Sequence, residues 1–263
     1  MKERIALFFD IDGTLFDATT KSVLPSTIYM LEELAKKENC DCYLSTGRSH
    51  QTLGTMNNYL HFFKGLNLSN GQEIYLDQML LHEGGIDATS IQRLLDIASQ
   101  YHYSMGMITK QEVEMNFFTE ESYHNFTNYV KARAIDLKGE PFDLSKKVYQ
   151  IWLFASNEQI DALIPLFPEL SIIKWGRYGA DIIPKGVSKA SGILAIQQRL
   201  GYKKENMYAF GDGDNDVEMF DIVGTSVAMK NASPLAKAKA TFVTEDASKD
   251  GLYLAVKRLG FIE

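Results

Sequence analysis

The chain has 263 residues, 45% hydrophobic and 23% charged, with a formal net charge of −7 at pH 7. These values describe an ordinary globular protein of one large domain or two. The acidic balance argues against nucleic acid or an anionic membrane as main partner. No apolar run approaches the ~20 residues of a membrane span.

The first predicted element is a strand. In Arg4-Ile5-Ala6-Leu7-Phe8-Phe9 nearly every position is apolar, as in a strand buried on both faces. Because this strand starts at once, no signal peptide is expected and the expected location is cytoplasmic. The strand runs into Asp10-Ile11-Asp12-Gly13-Thr14. Unpaired buried charge is costly, so two carboxylates at such a strand end call for a partner. Gly13 allows a turn, and Thr14 can tie the loop with its hydroxyl. Alone, the segment reads equally as an Asp-Gly turn or as a ligand site at the carboxyl edge of a sheet.

Pro25-Ser26 opens a helical pattern through Ile28, Leu31, Leu34 and Ala35. A strand at 40–44 follows and ends at Ser45-Thr46-Gly47-Arg48. Its Cys40 and Cys42 share a face, and with no further Cys or His at ligand spacing they read as reduced structural thiols. A second helical pattern reaches about residue 63, and a short strand at 65–68 ends at Asn70-Gly71. This βαβαβ order predicts a parallel sheet.

The texture then changes. Residues 73–76 and 79–82, joined by Asp77-Gln78, predict a hairpin. A helix is predicted over 88–101, with Ile91, Leu94, Leu95 and Ala98 as its core stripe. Strands near 103–109 and 112–118, a helix over 120–134, and strand, helix and strand at 147–155, 158–167 and 170–175 follow. That mixture suggests an α+β module, so residues 83–183 are read as an inserted domain between core segments 1–82 and 184–263. From Pro184 the parallel texture returns. Ser188 caps a helix to about Leu200, ended by Gly201. A strand at 206–210 enters Gly211-Asp212-Gly213-Asp214-Asn215-Asp216, and two further strands alternate with helices to the end.

Three predicted parallel strands thus end in polar clusters: Asp10/Asp12, Thr46-Gly47-Arg48 and Asp212 to Asp216. The carboxyl ends of parallel strands share one sheet edge, so the clusters can converge, and Lys189 in the first turn of its helix can reach them. Crowded carboxylates repel and would neutralise without a cation. A hard divalent ion with oxygen ligands resolves this, and Mg²⁺ fits best. The inventory suits phosphoryl transfer. Asp10 can attack phosphorus, while Thr46, nearby amides and Lys189 can bind the phosphoryl oxygens. Asp12 can protonate the leaving oxygen and later take a proton from water.

Asp10-Ile11-Asp12-Gly13-Thr14, Thr46-Gly47-Arg48, Lys185-Gly186-Val187-Ser188-Lys189 and Gly211 to Asp216, in that order, resemble the haloacid dehalogenase (HAD) superfamily. More closely the chain resembles the Cof-type, type IIB phosphatases, whose cap lies between the second and third motifs. The resemblance spans the whole chain and implies an α/β fold: a Rossmann-like parallel-sheet core with an inserted α+β cap domain. It implies Asp10 as the nucleophile forming an aspartyl-phosphate and Asp12 as general acid/base. It also implies Mg²⁺ held by Asp10, the Asp12 backbone carbonyl and Asp212, with Asp216 supporting the metal waters or Lys189. Thr46, Lys189, Asn215 and the Ile11 and Gly47 amides would hold phosphate. The second aspartate separates this chain from true dehalogenases, because halide needs no proton.

The expected activity is therefore hydrolysis of a small phosphorylated metabolite. Sugar phosphates come first, then pyridoxal phosphate, nucleoside monophosphates and flavin mononucleotide. The alternatives are a phosphomutase or phosphotransferase, and a non-enzymatic phosphometabolite sensor; the last should lack a nucleophile, acid or lysine that are all present here. Several residues carry plainer readings: Lys185 on the surface or rim, Arg48 in a local salt bridge, Asp214 in a loop or behind the site. Asn70-Gly71 is either a turn or a substrate neighbour. Trp175-Gly176-Arg177-Tyr178-Gly179-Ala180-Asp181 either faces a polar leaving group or forms a hairpin with a stacked arginine. His82, His102 and His124 lack partners at ligand spacing. No residue bears on oligomeric state.

Overall fold

The computed structural model describes residues 3–17, 19–127, 134–175 and 178–263. The chain begins with β1 (Ile5–Phe9), β2 (Phe16–Asp17), β3 (Ser22–Val23), α1 (Pro25–Ala35) and β4 (Cys40–Ser45). Then come β5 (Gly65–Leu68), β6 (Glu73–Leu76), β7 (Met79–Glu83), α2 (Ala88–Tyr101), β8 (Ser104–Ile108) and β9 (Val113–Met115). The middle continues with α3 (Glu120–Asn125), β10 (Ala134–Asp136), β11 (Gln150–Ser156), α4 (Asn157–Leu163), β12 (Leu170–Lys174) and β13 (Tyr178–Pro184). The last stretch holds α5 (Lys189–Leu200), β14 (Met207–Gly211), α6 (Val217–Ile222) and β15 (Thr225–Ala228). It closes with α7 (Pro234–Lys239), β16 (Phe242–Val243) and α8 (Gly251–Arg258).

These elements form two compact units. The first comprises Met1–Gly47, Thr55–Glu83 and Ser188–Glu263; the second comprises Arg48–Gly54 and Gly84–Val187.

The first unit is built on an eight-stranded sheet of order β16-β15-β14-β1-β4-β5-β6-β7. The strands from β16 to β5 are parallel, and β6 and β7 are antiparallel additions. The apolar run of β1 puts it inside the sheet, where Ala6, Leu7, Phe8 and Phe9 are fully buried. Phe8 stacks on Tyr43 at 5.0 Å and Phe9 on Phe210 at 4.9 Å, locking β1 to both neighbours. Asp10 therefore emerges beside the end of β14, its N–H donating to the Phe210 carbonyl at 2.9 Å.

Helix α5 has chemical signals at both ends. Ser188 and Ser191 form a reciprocal capping box, and Gly201 closes the helix at φ +74°. Its first turn comes very close to β5, since a Cβ on Gly192 would lie 2.0 Å from Asn67 Oδ1. Only glycine permits that approach, and the approach delivers Lys189 to the sheet edge.

The second unit has a six-stranded sheet, β10-β9-β8-β11-β13-β12, antiparallel except for the parallel β10–β9 pair. Ile91, Leu94 and Ala98 of α2, with Ile160 and Leu163 of α4, share one core with Met105, Met107, Ile151, Leu153, Ala180 and Ile182. Each large apolar side chain so buried contributes about 1.5–3 kcal/mol. Phe126, Trp152 and Phe154 gather with Ile108, Val113 and Met115 in a second cluster.

Three segments differ from the sequence-based expectation. Residues 50–62 form short 3₁₀ segments, His50–Thr52 and Gly54–Phe62, in place of an α-helix. Gly54 at φ +57° interrupts the i→i−4 ladder, and Thr52, Thr55, Asn57 and Asn58 are weak helix formers. The helix predicted over 120–134 begins as α3 and continues as a π turn at Phe126 and Thr127; residues 128–133 lie outside the described residues, and at Ala134 a strand paired with Val113 has replaced it. The hairpin of β2 and β3 has no predicted counterpart, because two-residue strands are too short for alternation to register. Its turn is held by the Asp17 carboxylate, which accepts from the Thr19 and Thr20 N–H groups at 3.1 and 2.9 Å.

Candidate active site

Lys189 is the centre of the site. As the first residue of α5 it is only 1% exposed, and its Nζ donates to Asp10 Oδ1 and Asp216 Oδ1, both at 2.6 Å. Its backbone is anchored as well: Asn67 Nδ2 donates to the Lys189 carbonyl at 2.8 Å and to Ser45 Oγ at 2.9 Å. Asp216 is fully buried, and its Oδ2 accepts the N–H groups of Asp212 and Gly213, both at 2.8 Å. Asp216 is thus saturated by donors that also shape the loop after β14.

The loop after β1 closes through its backbone. Gly13 N–H donates to Phe16 O at 2.9 Å, Phe16 N–H to Ile11 O at 2.7 Å and Thr14 N–H to the same carbonyl at 3.2 Å. The expected tie from the Thr14 hydroxyl is not made. Its Oγ1 is buried without a partner among the described residues, because the backbone bonds already close the turn. Ile11 is buried, and Asp12 is exposed. Gly13, at φ +81°, faces Asp212 so closely that a Cβ there would lie 2.1 Å from Asp212 Oδ2.

Ligand atoms of Asp10, Asp212 and Asp216 lie within 4.8 Å of one another. Burial holds the Asp10 carboxyl well above the usual range; attraction to Lys189 opposes this, while Asp216, Asp212 and Asp12 add repulsion. Burial, then repulsion from Asp216, pushes Asp212 up to about 7. Lys189 is raised, since the pull of Asp10 and Asp216 outweighs the burial that would lower it. One ammonium therefore leaves negative potential uncompensated. An all-oxygen donor set with that excess fits a hard divalent cation.

The other sequence-predicted residues fall as follows. Thr46 is buried at the end of β4, its N–H donating to Asn67 O at 2.9 Å and its carbonyl accepting from Asn70 N–H at 3.0 Å. Asn70 lies beside Gly47 in a left-handed conformation, φ +54° and ψ +36°, and accepts from Asn215 Nδ2 at 3.4 Å. That brings Asn215 to the Thr46-Gly47 loop. Asp214 accepts from Ser233 Oγ, in the loop. Lys185 is exposed. Arg48 donates to the Thr52 and Leu53 carbonyls at 3.2 and 3.0 Å, a local backbone anchor. Of Trp175 to Asp181, Trp175 directly follows β12 and Tyr178 to Asp181 lie in β13, antiparallel to β12, with Gly176 and Arg177 outside the described residues. Within it, burial pushes Asp181 up to about 6, countered by hydrogen bonds from Trp175 and Gln150. Cys40 and Cys42 are free and buried.

Sequence reasoning missed Asn67 and Asn231. Asn231 Nδ2 donates to the Gly13 carbonyl at 2.9 Å and to Asp212 Oδ2 at 3.1 Å. A neutral amide just before a capped helix carries no local signal of this role.

A central parallel strand ending on paired aspartates, met by a buried lysine and a second acidic loop, defines a hydrolase class. Residues 7–256 match the family model of the haloacid dehalogenase-like hydrolases, and the chain belongs to that family. The Bacillus subtilis protein YkrA is 31% identical over 260 residues, which cover 98% of each chain. The HAD subclass IIB sugar phosphatase BT4131 matches with a TM-score of 0.86 at 26% identity, over 98% of this chain and 100% of its own. BT1666, a HAD phosphatase from Bacteroides thetaiotaomicron, matches with a TM-score of 0.87 at 27% identity, over 99% and 96%. The chain is a Cof-like phosphatase with the α/β fold of subclass IIB. Among the described residues no helix is long and apolar enough to cross a membrane.

Proposed function

We propose that the protein is a Mg²⁺-dependent phosphatase that hydrolyses a small phosphomonoester, a sugar phosphate first, through an aspartyl-phosphate on Asp10. The observation that carries this reading is the buried Asp10–Lys189–Asp216 arrangement with Asp212 beside it. The sugar-phosphate preference rests on the likeness to the sugar phosphatase BT4131. Residues 83–183 are proposed as the cap, and the cytoplasm as the location, where the free thiols of Cys40 and Cys42 persist.

In this mechanism an Asp10 oxygen forms a bond to phosphorus as the bond to the leaving oxygen breaks, and Asp12 gives that oxygen its proton. Water then attacks phosphorus, Asp12 takes the water proton, and the bond from phosphorus to Asp10 breaks to release orthophosphate. Lys189 keeps Asp10 oriented and adds positive charge where phosphoryl charge accumulates. Thr46, Asn215 and the Ile11 and Gly47 amides bind the remaining phosphoryl oxygens. Mg²⁺, held by Asp10, Asp212 and the Asp12 carbonyl, would offset repulsion between the carboxylates and the phosphate dianion.

The test is p-nitrophenyl phosphate turnover with and without Mg²⁺, followed by a panel of phosphorylated metabolites. Asp10→Asn should abolish both turnover and phosphoenzyme. Asp12→Asn should still form phosphoenzyme slowly from this good leaving group. Wild type as inactive as Asp10→Asn across the panel would end the proposal.

A further inference from the structure

Asn231 lies outside every motif the sequence singles out, yet its side chain, on an exposed residue, makes three hydrogen bonds. Its Nδ2 donates to Gly13 O and to Asp212 Oδ2, and its Oδ1 accepts from Ala247 N–H at 3.1 Å. This pattern fixes the amide's orientation, because a flipped amide would set its oxygen against a carbonyl and a carboxylate. Both Nδ2 hydrogens are used, and one of them caps Oδ2 of Asp212. Gly13 makes room for this clamp: a Cβ there would lie 2.1 Å from Asp212 Oδ2 and 3.0 Å from Asn231 Nδ2.

The remaining carboxylates are allotted just as tightly. Asp216 gives Oδ1 to Lys189 and Oδ2 to two backbone N–H groups. Asp10 gives Oδ1 to Lys189. Among the described residues, the carboxylate oxygens of this cluster without a hydrogen bond are Asp10 Oδ2 and Asp212 Oδ1. The cluster therefore offers single oxygens and no free carboxylate pair. Mg²⁺ is content with one or two such oxygens plus waters in a tight octahedron, whereas Ca²⁺ takes six to eight ligands and favours bidentate carboxylates.

We propose that Asn231 is a positioning residue that holds Asp212 to one-oxygen ligation and thereby makes the site discriminate against Ca²⁺ in favour of Mg²⁺. This rests on the metal-dependent reading above. Releasing Oδ2 would let Asp212 bind through both oxygens, which helps the larger ion selectively. A residue that merely supported the loop would weaken both ions alike.

The experiment is calorimetric titration of Mg²⁺ and Ca²⁺ into wild type, Asn231→Ala and Asn231→Asp, with melting curves to establish folding. Asn231→Asp keeps the acceptor for Ala247 N–H and loses the donor to Asp212. Loss of an outer-shell partner changes metal affinity about 10–100-fold. The ratio of Ca²⁺ to Mg²⁺ affinity should therefore rise about tenfold or more in both variants. A ratio unchanged within about twofold overturns the proposal, as does a wild type that binds neither ion. Should both variants unfold, Ca²⁺-soaked wild-type crystals decide: Asp212 ligating through one oxygen supports the proposal, and through two overturns it. Turnover enters none of these readouts. Protein with the expected ion ratios that is inactive on the phosphate panel would sink the phosphatase mechanism alone. Active protein with unchanged ratios would sink only the role of Asn231.

Discussion

Replacing Lys189 with methionine should cost the metal-free protein about 3–5 kcal/mol, the usual penalty for removing one partner of a buried ion pair. The upper end applies because the ammonium is 1% exposed and serves two carboxylates at 2.6 Å each. The loss must also depend on pH. Burial already holds Asp10 well above its ordinary range against the pull of Lys189, with Asp216, Asp212 and Asp12 adding repulsion. Without Lys189 that pull disappears, so acid can relieve the stranded charge by protonating Asp10. Lys189 itself is raised, so its contribution is fully present below the unfolded lysine value of about 10.4 and fades only as pH rises through the folded one. It stays charged throughout the window of interest, and the penalty should be largest near about pH 8 and shrink toward about pH 5. Urea denaturation with a chelator, followed by circular dichroism at both pH values, measures this directly. A loss below about 1 kcal/mol at the higher pH, or one that fails to shrink in acid, refutes the reasoning. With metal restored, kcat should fall about 10²–10³-fold.

Mg²⁺ affinity should weaken as pH falls through about 7, where metal-free Asp212 takes up a proton, and binding should release protons measurable by calorimetry in buffers of different ionisation enthalpy. For stability the sign is reversed: an acid whose folded pKa is raised favours the metal-free fold as pH falls through that value. Gly13→Ala should destabilise by at least about 1–2 kcal/mol, because φ is +81° and the new Cβ would meet Asp212. Thermal melts with and without Mg²⁺ should then show a lower Tm and a smaller stabilisation by the ion. Tyr202→Phe removes a hydroxyl that donates to Asp41 at 2.5 Å and lies 2.6 Å from the Tyr43 hydroxyl. It should cost about 1–3 kcal/mol in denaturation while leaving kcat unchanged.

Fold elements were legible in the sequence where both ends carry chemistry. Helix α5 occupies the predicted span because Ser188 and Gly201 punctuate it. The hairpin of β6 and β7 follows from two apolar strands around Asp77 and Gln78, which take φ of +48° and +66° as a tight turn requires. Residues 50–62 misled because scattered apolar positions at helical spacing say nothing of Gly54 adopting φ +57° in their midst. Strand β10 was hidden for a different reason. Its three residues pair with β9, a partnership that no local pattern records.

The acids of the candidate site could be found from strand ends, but the division of their oxygens could not. Asp216 is partly readable, since its backbone donors lie within its own loop, on Asp212 and Gly213, and a fixed short spacing can encode that. The lysine is readable because its charge demands a partner and its helix has a marked start. Asn67 and Asn231 are different. Each acts across the fold, on Lys189 and on Asp212, through a neutral amide whose local surroundings would suit any turn or strand end. Charge announces itself in a sequence because burying it alone is prohibitive, whereas an amide becomes indispensable only once the fold has chosen what stands opposite. The groups that set how the carboxylates may bind are therefore the last to be visible.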